Sequence, residues 1–279
     1  MRFNIILVLA LLPCMAHSMI RALNTSATGM ASQEEVVNTI SNNIANLNTV
    51  GFKKSRTETE DLFYQTITEQ GARTGPETFH TVGVQIGSGS KVSAIRKEFI
   101  QGDPNITNNP FDLLINGDGF FGIILPNGRL NYTRDGAFNL DNTGKIVNKN
   151  GYALYPEMTV PQGTSNINIS ENGTIEAFLT GQTEPIIVGQ IPLFTFVNPV
   201  GLRSKGKNLY EESMASGGPI QNIANLNNAG SIQQGALEAS NVNIMTEMTD
   251  LIRAQRAYEM NSKVMGVADK MLQTINTLR

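Results

Sequence analysis

The sequence predicts an α+β protein in which long heptad helices at the two chain ends pair with each other and flank a β-rich antiparallel middle domain. Three observations lead to this fold class. Apolar residues recur every seven positions near both ends, which is the spacing of a helix that packs along another helix. Every proline except Pro13 lies between Pro76 and Pro219. That middle stretch is also dense in Asn-Gly and Asp-Gly pairs, which favour hairpin turns.

The first eighteen residues form a separate unit of the sequence. Arg2 precedes the apolar run Ile5–Leu12, and residues 16–18 offer a small-x-small cleavage site, so the layout is that of a secretory signal peptide. The run is too short to span a membrane as a helix. The alternative is that translation begins at Met19 and that residues 1–18 are an over-extended start. Under both interpretations Met19 is the effective start of the mature chain.

The first predicted helix covers Ile20–Leu47, within a domain of residues 19–51. It contains no proline, and Asn48 or Gly51 suits the left-handed conformation that follows the last turn of a helix. Its predicted seam, the apolar stripe that packs on another helix, has six residues: Leu23, Met30, Val37, Ile40, Ile44 and Leu47.

The second predicted helix covers Asn243–Leu278, within a domain of residues 240–279. It contains no proline and one glycine. Its predicted seam residues are Met248, Leu251, Tyr258, Met265, Leu272 and Ile275. A second apolar row at helical spacing consists of Val264, Ala268, Met271, Ile275 and Leu278. The two helices are expected to pair and to form one helical inner domain.

The residues between the helices are predicted to be extended. Residues 52–82 begin charged and continue polar, and are interpreted as an extended connector; residues 83–235 are the predicted β-rich domain, ending in a polar linker over 222–235. Asp135-Gly136 is among the dipeptides expected to adopt positive φ cheaply. The predicted strands are Leu113–Ile115, Phe120–Leu125, Ala137–Leu140, Lys145–Asn148, Ile167–Ile169, Thr174–Phe178, Ile186–Val188 and Leu193–Val197.

Composition argues against several classes of function. The formal net charge is -3 and no basic patch is present, so no nucleic-acid partner is expected. A single cysteine cannot form an internal disulfide, and with two histidines it leaves few ligands for a metal ion. Neither a metal nor a cofactor is therefore predicted. His80, outside the leader, is interpreted as a solvated loop residue.

The segment from Gly117 to Gly122 matches the glycine spacing of a dinucleotide-binding loop. Such a loop must run into a helix whose N-terminus holds the pyrophosphate. Because Phe120–Leu125 is predicted to be a strand, the segment is interpreted as two tight turns, and no catalytic residue or small-molecule substrate is assigned. A secreted glycan hydrolase using two of the scattered carboxylates is an alternative, although it leaves both heptad helices unexplained. A secreted adhesin or binding module is a further alternative.

Three stretches, taken together, resemble the axial proteins of the bacterial flagellum. The first joins Met19–Leu23 to Ser41–Lys53, the second runs from Gln101 to Phe138, and the third joins Ser240–Asn243 to Leu251–Lys263. The resemblance extends over essentially all of residues 19–279 and is strongest to the distal rod members of the basal-body rod protein family. The second stretch contains a turn signature at Gly117, Gly119, Asp135 and Gly136. Leu62, Phe63, Tyr64 and Gln65 resemble part of a rod-specific segment that hook protein lacks.

The resemblance implies a non-enzymatic structural subunit of the distal rod in the basal body, which crosses the periplasmic space to the outer membrane. Such subunits are expected to self-assemble into a rigid hollow helical drive shaft that transmits torque from motor to hook, with the helices inside and the β-rich domain outside. The implied partners are further copies of the chain, the proximal rod and hook proteins, the surrounding ring proteins and the flagellar type III export apparatus. A proximal rod or hook-type protein is the alternative within the family.

Overall fold

The computed structural model describes residues 2–71, 73, 81–180, 184–227 and 229–277, and for residues 2–18 and 276 it describes the backbone alone. The predicted solvated loop at His80, the end of the second predicted helix at Leu278, and residues 72 and 74–80 of the predicted connector lie outside the described residues.

Along the described part of the chain, one long helix comes first, twenty short strands follow, and a second long helix comes last. The helices are α1 (Arg2–Ala45) and α2 (Ile244–Thr277). The strands are β1 (Ser55–Asp61), β2 (Tyr64–Thr68), β3 (Val84–Gly87), β4 (Ser90–Lys97), β5 (Pro104–Ile106), β6 (Leu113–Asn116), β7 (Phe120–Ile124), β8 (Leu130–Thr133), β9 (Phe138–Leu140), β10 (Ile146–Asn148), β11 (Ala153–Leu154), β12 (Thr164–Ile169), β13 (Thr174–Leu179), β14 (Ile186–Gln190), β15 (Pro192–Thr195), β16 (Arg203–Gly206), β17 (Leu209–Glu211), β18 (Ile220–Ile223), β19 (Ser231–Gln234) and β20 (Ala236–Glu238).

This element order confirms the predicted α+β class. The strand pairs formed among β2, β3 and β5–β20 are all antiparallel. α1 ends two residues before the predicted end, because Asn46 N and Leu47 N bond the carbonyls three residues earlier and tighten the chain into turns. Gly51 has the left-handed φ of 66° expected of it.

Two expectations for the middle of the chain are wrong. The predicted linker over 222–235 contains β19, which pairs with β6 through Ile232 opposite Ile115. Its many polar residues misled the interpretation, although Ala224 and Ile232 both lie in the core. Gly136 does not adopt positive φ, unlike Gly117 and Gly119. A glycine is needed there because a Cβ would lie 1.7 Å from the Leu113 carbonyl oxygen.

One compact unit combines α1 up to Asn42, the strands β1–β4 and α2. β1 pairs with β4, and β2 pairs with β3. The strands approach α1 through small polar groups: the hydroxyls of Ser32 and Ser90 are 3.2 Å apart, and Thr57 Oγ1 donates to Thr39 Oγ1 at 2.9 Å. Small side chains let a strand backbone lie close to a helix, so this packing is tight although it is poor in large apolar residues.

The second compact unit combines residues 43–54 with residues 97–243. Its largest sheet has nine strands, seven of them in the order β16-β17-β8-β7-β11-β10-β9, while β15 pairs with both β7 and β18. A separate sheet has the order β12-β13-β14, and the pairs β6–β19 and β5–β20 complete the unit. Apolar residues of these sheets form the main core, which includes Leu113, Phe121, Ile123, Phe138, Ile175 and Leu193.

Candidate assembly surface

The helix α2 has one face that is covered within the chain. Ala254 and Ala268 are buried, and Leu251, Met265 and Leu272 are half-buried. At about 3.6 residues per turn these positions fall on one side of the helix. Of the other predicted seam residues on α2, Ile275 is half-buried, whereas Met248 and Tyr258 are exposed in the single chain.

The opposite side of α2 carries a second row of apolar residues that remains exposed, interspersed with the exposed basic residues Arg256, Lys263 and Lys270. We call the apolar residues of this side the outer α2 face; they are Met245, Met248, Ile252, Met260, Val264, Val267 and Met271. Seven exposed large apolar side chains along about 40 Å of one helix are a candidate surface for contact with another protein. The sequence signalled it through the row containing Val264 and Met271, but the predicted seam omitted most of its residues.

The predicted seam residues of α1 are largely covered. Ile40 is buried, and Leu23, Met30, Val37, Ile44 and Leu47 are half-buried. α1 and α2 come close at Gly29, where a Cβ would lie 2.8 Å from the amide nitrogen of Asn261. The glycine that costs α1 about 1 kcal/mol of helix propensity therefore allows a close approach between the two helices.

The rod-specific segment predicted from the sequence lies at the start of β2. The backbone N–H of Leu62 donates to the Gly89 carbonyl at 2.9 Å, and Arg21 Nη1 donates to Gln65 Oε1 at 3.1 Å. Between these anchored residues, Phe63 is 95% exposed and Tyr64 is also exposed. A fully solvated phenylalanine held between two hydrogen-bonded neighbours is positioned for contact with another molecule.

A buried ion cluster joins residues that are far apart in the sequence of the second unit. Lys53 Nζ donates to Glu238 Oε1 and to the Ile100 carbonyl, and Gly102 N donates to the same Glu238 oxygen at 2.9 Å. Arg134 Nη1 lies 3.5 Å from Glu238 Oε2. The side chains of Lys53, Arg134 and Glu238 are at most 2% exposed. Sequence reasoning missed this cluster, although its two basic members lie in motifs that carry the family resemblance.

The cluster places two cations around one carboxylate out of contact with water. Burial lowers the pKa of Lys53, and the nearby Glu238 carboxylate opposes that shift. Burial likewise lowers the pKa of Arg134, whose Nε has no hydrogen-bond partner among the residues that the structure describes. Such a group is strongly interdependent, because removing the carboxylate would leave buried Lys53 without its counter-ion and buried Arg134 with only the nearby Asp118 carboxylate. Its geometry suits a structural role.

The predicted turn signature lies in the second unit and makes contacts within it. Gly117 approaches the backbone of Gly230, and Gly119 approaches the side chain of Leu193, each at positive φ. The Asp135 carboxylate accepts hydrogen bonds from Ala137 N, Lys149 Nζ and Asn208 Nδ2. These contacts are internal, so the signature positions strands.

The described residues hold no group of three or more His, Cys, Asp or Glu side chains that could bind a metal ion. Within the same part of the chain, neither helix has a stretch long and apolar enough to cross a membrane. The segment after Gly117 forms β7, a strand, so the helix N-terminus that a dinucleotide site requires does not follow it.

Three protein-family models match the chain. The model for "Flagella basal body rod protein" matches residues 23–53, that for "Flagellar hook protein FlgE/F/G D1 domain" matches 114–177, and that for "Flagellar basal body rod FlgEFG protein C-terminal" matches 233–278. Their order along the chain is the order of the three resembling stretches.

Curated relatives extend this similarity over the chain. The flagellar basal-body rod protein FlgG of Buchnera aphidicola subsp. Acyrthosiphon pisum (strain APS) is 45% identical over 260 residues, covering 93% of this chain and 100% of that protein. FlgG of Caulobacter vibrioides is also 45% identical over 260 residues, covering 93% and 99%. The flagellar hook-basal body complex protein FlhP of Bacillus subtilis is 31% identical over 274 residues, covering 94% and 100%.

These similarities support a structural, non-enzymatic subunit of the distal rod in the flagellar basal body. The chain belongs to the flagellar basal-body rod protein family.

Proposed function

We propose that copies of this chain polymerise into a rigid hollow distal rod, and that the outer α2 face is the surface through which neighbouring subunits meet. The observation that carries the proposal is the presence of apolar stripes on both sides of α2. One side is covered within the chain and the other is exposed. Burying a stripe of seven large apolar side chains in a helical polymer removes it from water at each subunit contact.

The heptad pairing of the two helices is part of the same proposal. The close approach at Gly29 and the half-buried state of Leu23, Met30 and Val37 support a pair in which α1 and α2 of one subunit contact the equivalent helices of its neighbours as a coiled coil. Non-closing contacts between identical subunits produce a filament instead of a ring. Residues 19–51 and 240–279 supply these contacts, and residues 83–235 form the β-rich outer domain.

The rod-specific segment is assigned a second contact. Phe63 projects between the anchored residues Leu62 and Gln65, and burying it against a neighbour would restrain bending of the polymer. The polymer continues into other flagellar axial proteins, with the proximal rod and the hook at its two ends and the ring proteins around it. Export of the subunit through the flagellar type III apparatus, with torque transmission after assembly, completes the proposed role.

A matched pair of substitutions tests the outer α2 face. Ile252→Asp puts a charge into the exposed stripe, while Ile187→Asp makes the same change at an exposed isoleucine of β14. The expected result is loss of polymerisation, seen by light scattering and electron microscopy, for Ile252→Asp alone. Both variants should give the circular dichroism spectrum of the parent monomer. Normal polymers and normal motility with Ile252→Asp would refute the assignment.

A further inference from the structure

Four of the seven residues on the outer α2 face are methionines, and their side chains are 44–74% exposed: Met245, Met248, Met260 and Met271. The sequence contains eleven methionines in all. Met265 is half-buried on the other side of the same helix, and Met158 is buried in the core of the second unit. Of the five exposed methionines whose side chains the structure describes, four therefore lie on the surface to which subunit contact is assigned, and the fifth is Met214.

Exposed thioethers react directly with peroxides. The sulfur lone pair attacks one oxygen of hydrogen peroxide, so that an S–O bond forms, the O–O bond breaks and hydroxide departs. The proton on the transferred oxygen passes to that hydroxide, so the thioether is oxidised to a sulfoxide while the peroxide is reduced to water. The product is a polar group with a strong hydrogen-bond acceptor on a previously apolar side chain. Burying it in an apolar contact without a donor is unfavourable.

We propose that the outer α2 face is a methionine oxidation site that controls assembly: peroxide converts the exposed methionines of the free subunit to sulfoxides and so prevents its incorporation into the polymer. This inference rests on the proposed function, since it requires that the face be buried by neighbouring subunits. Oxidation is confined to the free subunit, because the assembled contact covers the four sulfur atoms. Enzymatic reduction of the sulfoxides restores the apolar face and with it the ability to assemble.

The chain offers an internal control for the position of the damage. Met214 lies in a turn of the second unit and is fully exposed, so peroxide reaches it as readily as it reaches the outer α2 face. Its oxidation should not affect polymerisation. We therefore expect oxidation to reduce polymerisation only where the methionine lies on the outer α2 face, and not wherever a methionine is exposed.

The test uses the purified full-length chain, treated with hydrogen peroxide and then allowed to polymerise, with oxidation of each methionine followed by peptide mass spectrometry. We expect a loss of polymerisation rate of at least about tenfold once the four methionines are oxidised. Treatment with methionine sulfoxide reductases should reverse the loss. A variant with leucine at all four positions should polymerise and resist peroxide, whereas Met214→Leu should remain as sensitive as the parent.

Each outcome decides between the two proposals. Oxidised chain that polymerises at the untreated rate, or a four-leucine variant that stays sensitive, would overturn the oxidation proposal and leave the proposed function standing. Untreated chain that polymerises neither alone nor onto isolated basal bodies would overturn the proposed function and the inference together. The single cysteine, Cys14, is present in every variant and so does not distinguish them.

Discussion

The substitution Glu238→Gln tests the buried ion cluster most directly. The carboxylate of Glu238 receives hydrogen bonds from Lys53 Nζ and Gly102 N and faces Arg134 at 3.5 Å. The amide keeps the shape of the side chain but removes its charge, which leaves buried Lys53 without its counter-ion and buried Arg134 with only the nearby Asp118 carboxylate. Removing one partner of a buried ion pair costs about 3–5 kcal/mol, so we expect the free energy of unfolding to fall by that amount in urea denaturation.

A double-mutant cycle separates the ion pair from the effects of each substitution. Lys53→Met removes one cation, and the double variant Lys53→Met/Glu238→Gln should be less destabilised than the sum of the two single variants by about 1–3 kcal/mol. The matched control is the exposed ion pair between Lys145 and Glu157, in which Lys145 Nζ lies 2.7 Å from Glu157 Oε2. Disrupting that pair should cost at most about 1 kcal/mol, because water screens it. Equal costs at the two pairs, or strict additivity in the cycle, would contradict the reasoning.

The pH dependence of Glu238→Gln gives a second measurement of the same cluster. Burial lowers the pKa of Lys53 below its ordinary value of 10.5, and loss of the Glu238 carboxylate lowers it further. The folded variant then binds fewer protons than the unfolded chain between the lowered pKa and 10.5. Its free energy of unfolding should therefore rise as pH increases through that window. The double variant lacks the Lys53 ammonium, so its rise should be smaller and limited to the part from Lys97, whose pKa burial also lowers.

Three further predictions concern other parts of the molecule. Leu272→Asp places a charge in the predicted seam of α2; it should abolish rod assembly and motility while the second unit stays folded, and normal rods would refute the seam assignment. Gly136→Ala should destabilise the chain by about 3 kcal/mol or more, because the new Cβ would overlap the Leu113 carbonyl oxygen. Gly266→Ala, at a position of α2 with open space around it, should stabilise the helix by about 0.5–1 kcal/mol. Thermal unfolding of the two variants compares these effects. Burial raises the pKa of Tyr210 to about 12. Its contribution of roughly 2–3 kcal/mol to the free energy of unfolding is therefore present below pH 10.0 and is lost as pH rises toward about 12. In urea titrations at stepped pH, Tyr210→Phe should remove this loss.

Local patterns in the sequence were sufficient for the helices and for most turns. The apolar spacing identified both helices because a stripe at helical period is visible without any partner. Asn-Gly pairs such as Asn127-Gly128 and Asn150-Gly151 place glycine at positive φ, as expected of them. In each case the physical cause lies within a few residues of the pattern.

The strands of the first unit have no such signal. β1 reads Ser-Arg-Thr-Glu-Thr-Glu-Asp and lacks the apolar alternation of a half-buried strand. It is held by pairing with β4, by the bond between Thr57 and Thr39, and by exposed ion pairs such as Lys91–Glu60. These partners come from distant parts of the chain, so periodicity within β1 cannot reveal them. The ion pair between Lys53 and Glu238 could not be predicted for the same reason, because its partners are far apart in the sequence.

The two units are stabilised by different means, and this difference suits a subunit that must polymerise. The second unit buries its own aromatic and aliphatic core together with a satisfied carboxylate, so its stability is internal to one chain. The helices of the first unit leave a long apolar stripe in water, so part of the free energy that holds them becomes available only when another molecule covers the outer α2 face. If the chain polymerises through the outer α2 face as proposed, folding of the second unit and polymerisation should be separately perturbable. That separation is why a charge on the outer α2 face should abolish assembly without unfolding the chain, whereas loss of the Glu238 carboxylate should destabilise the chain directly.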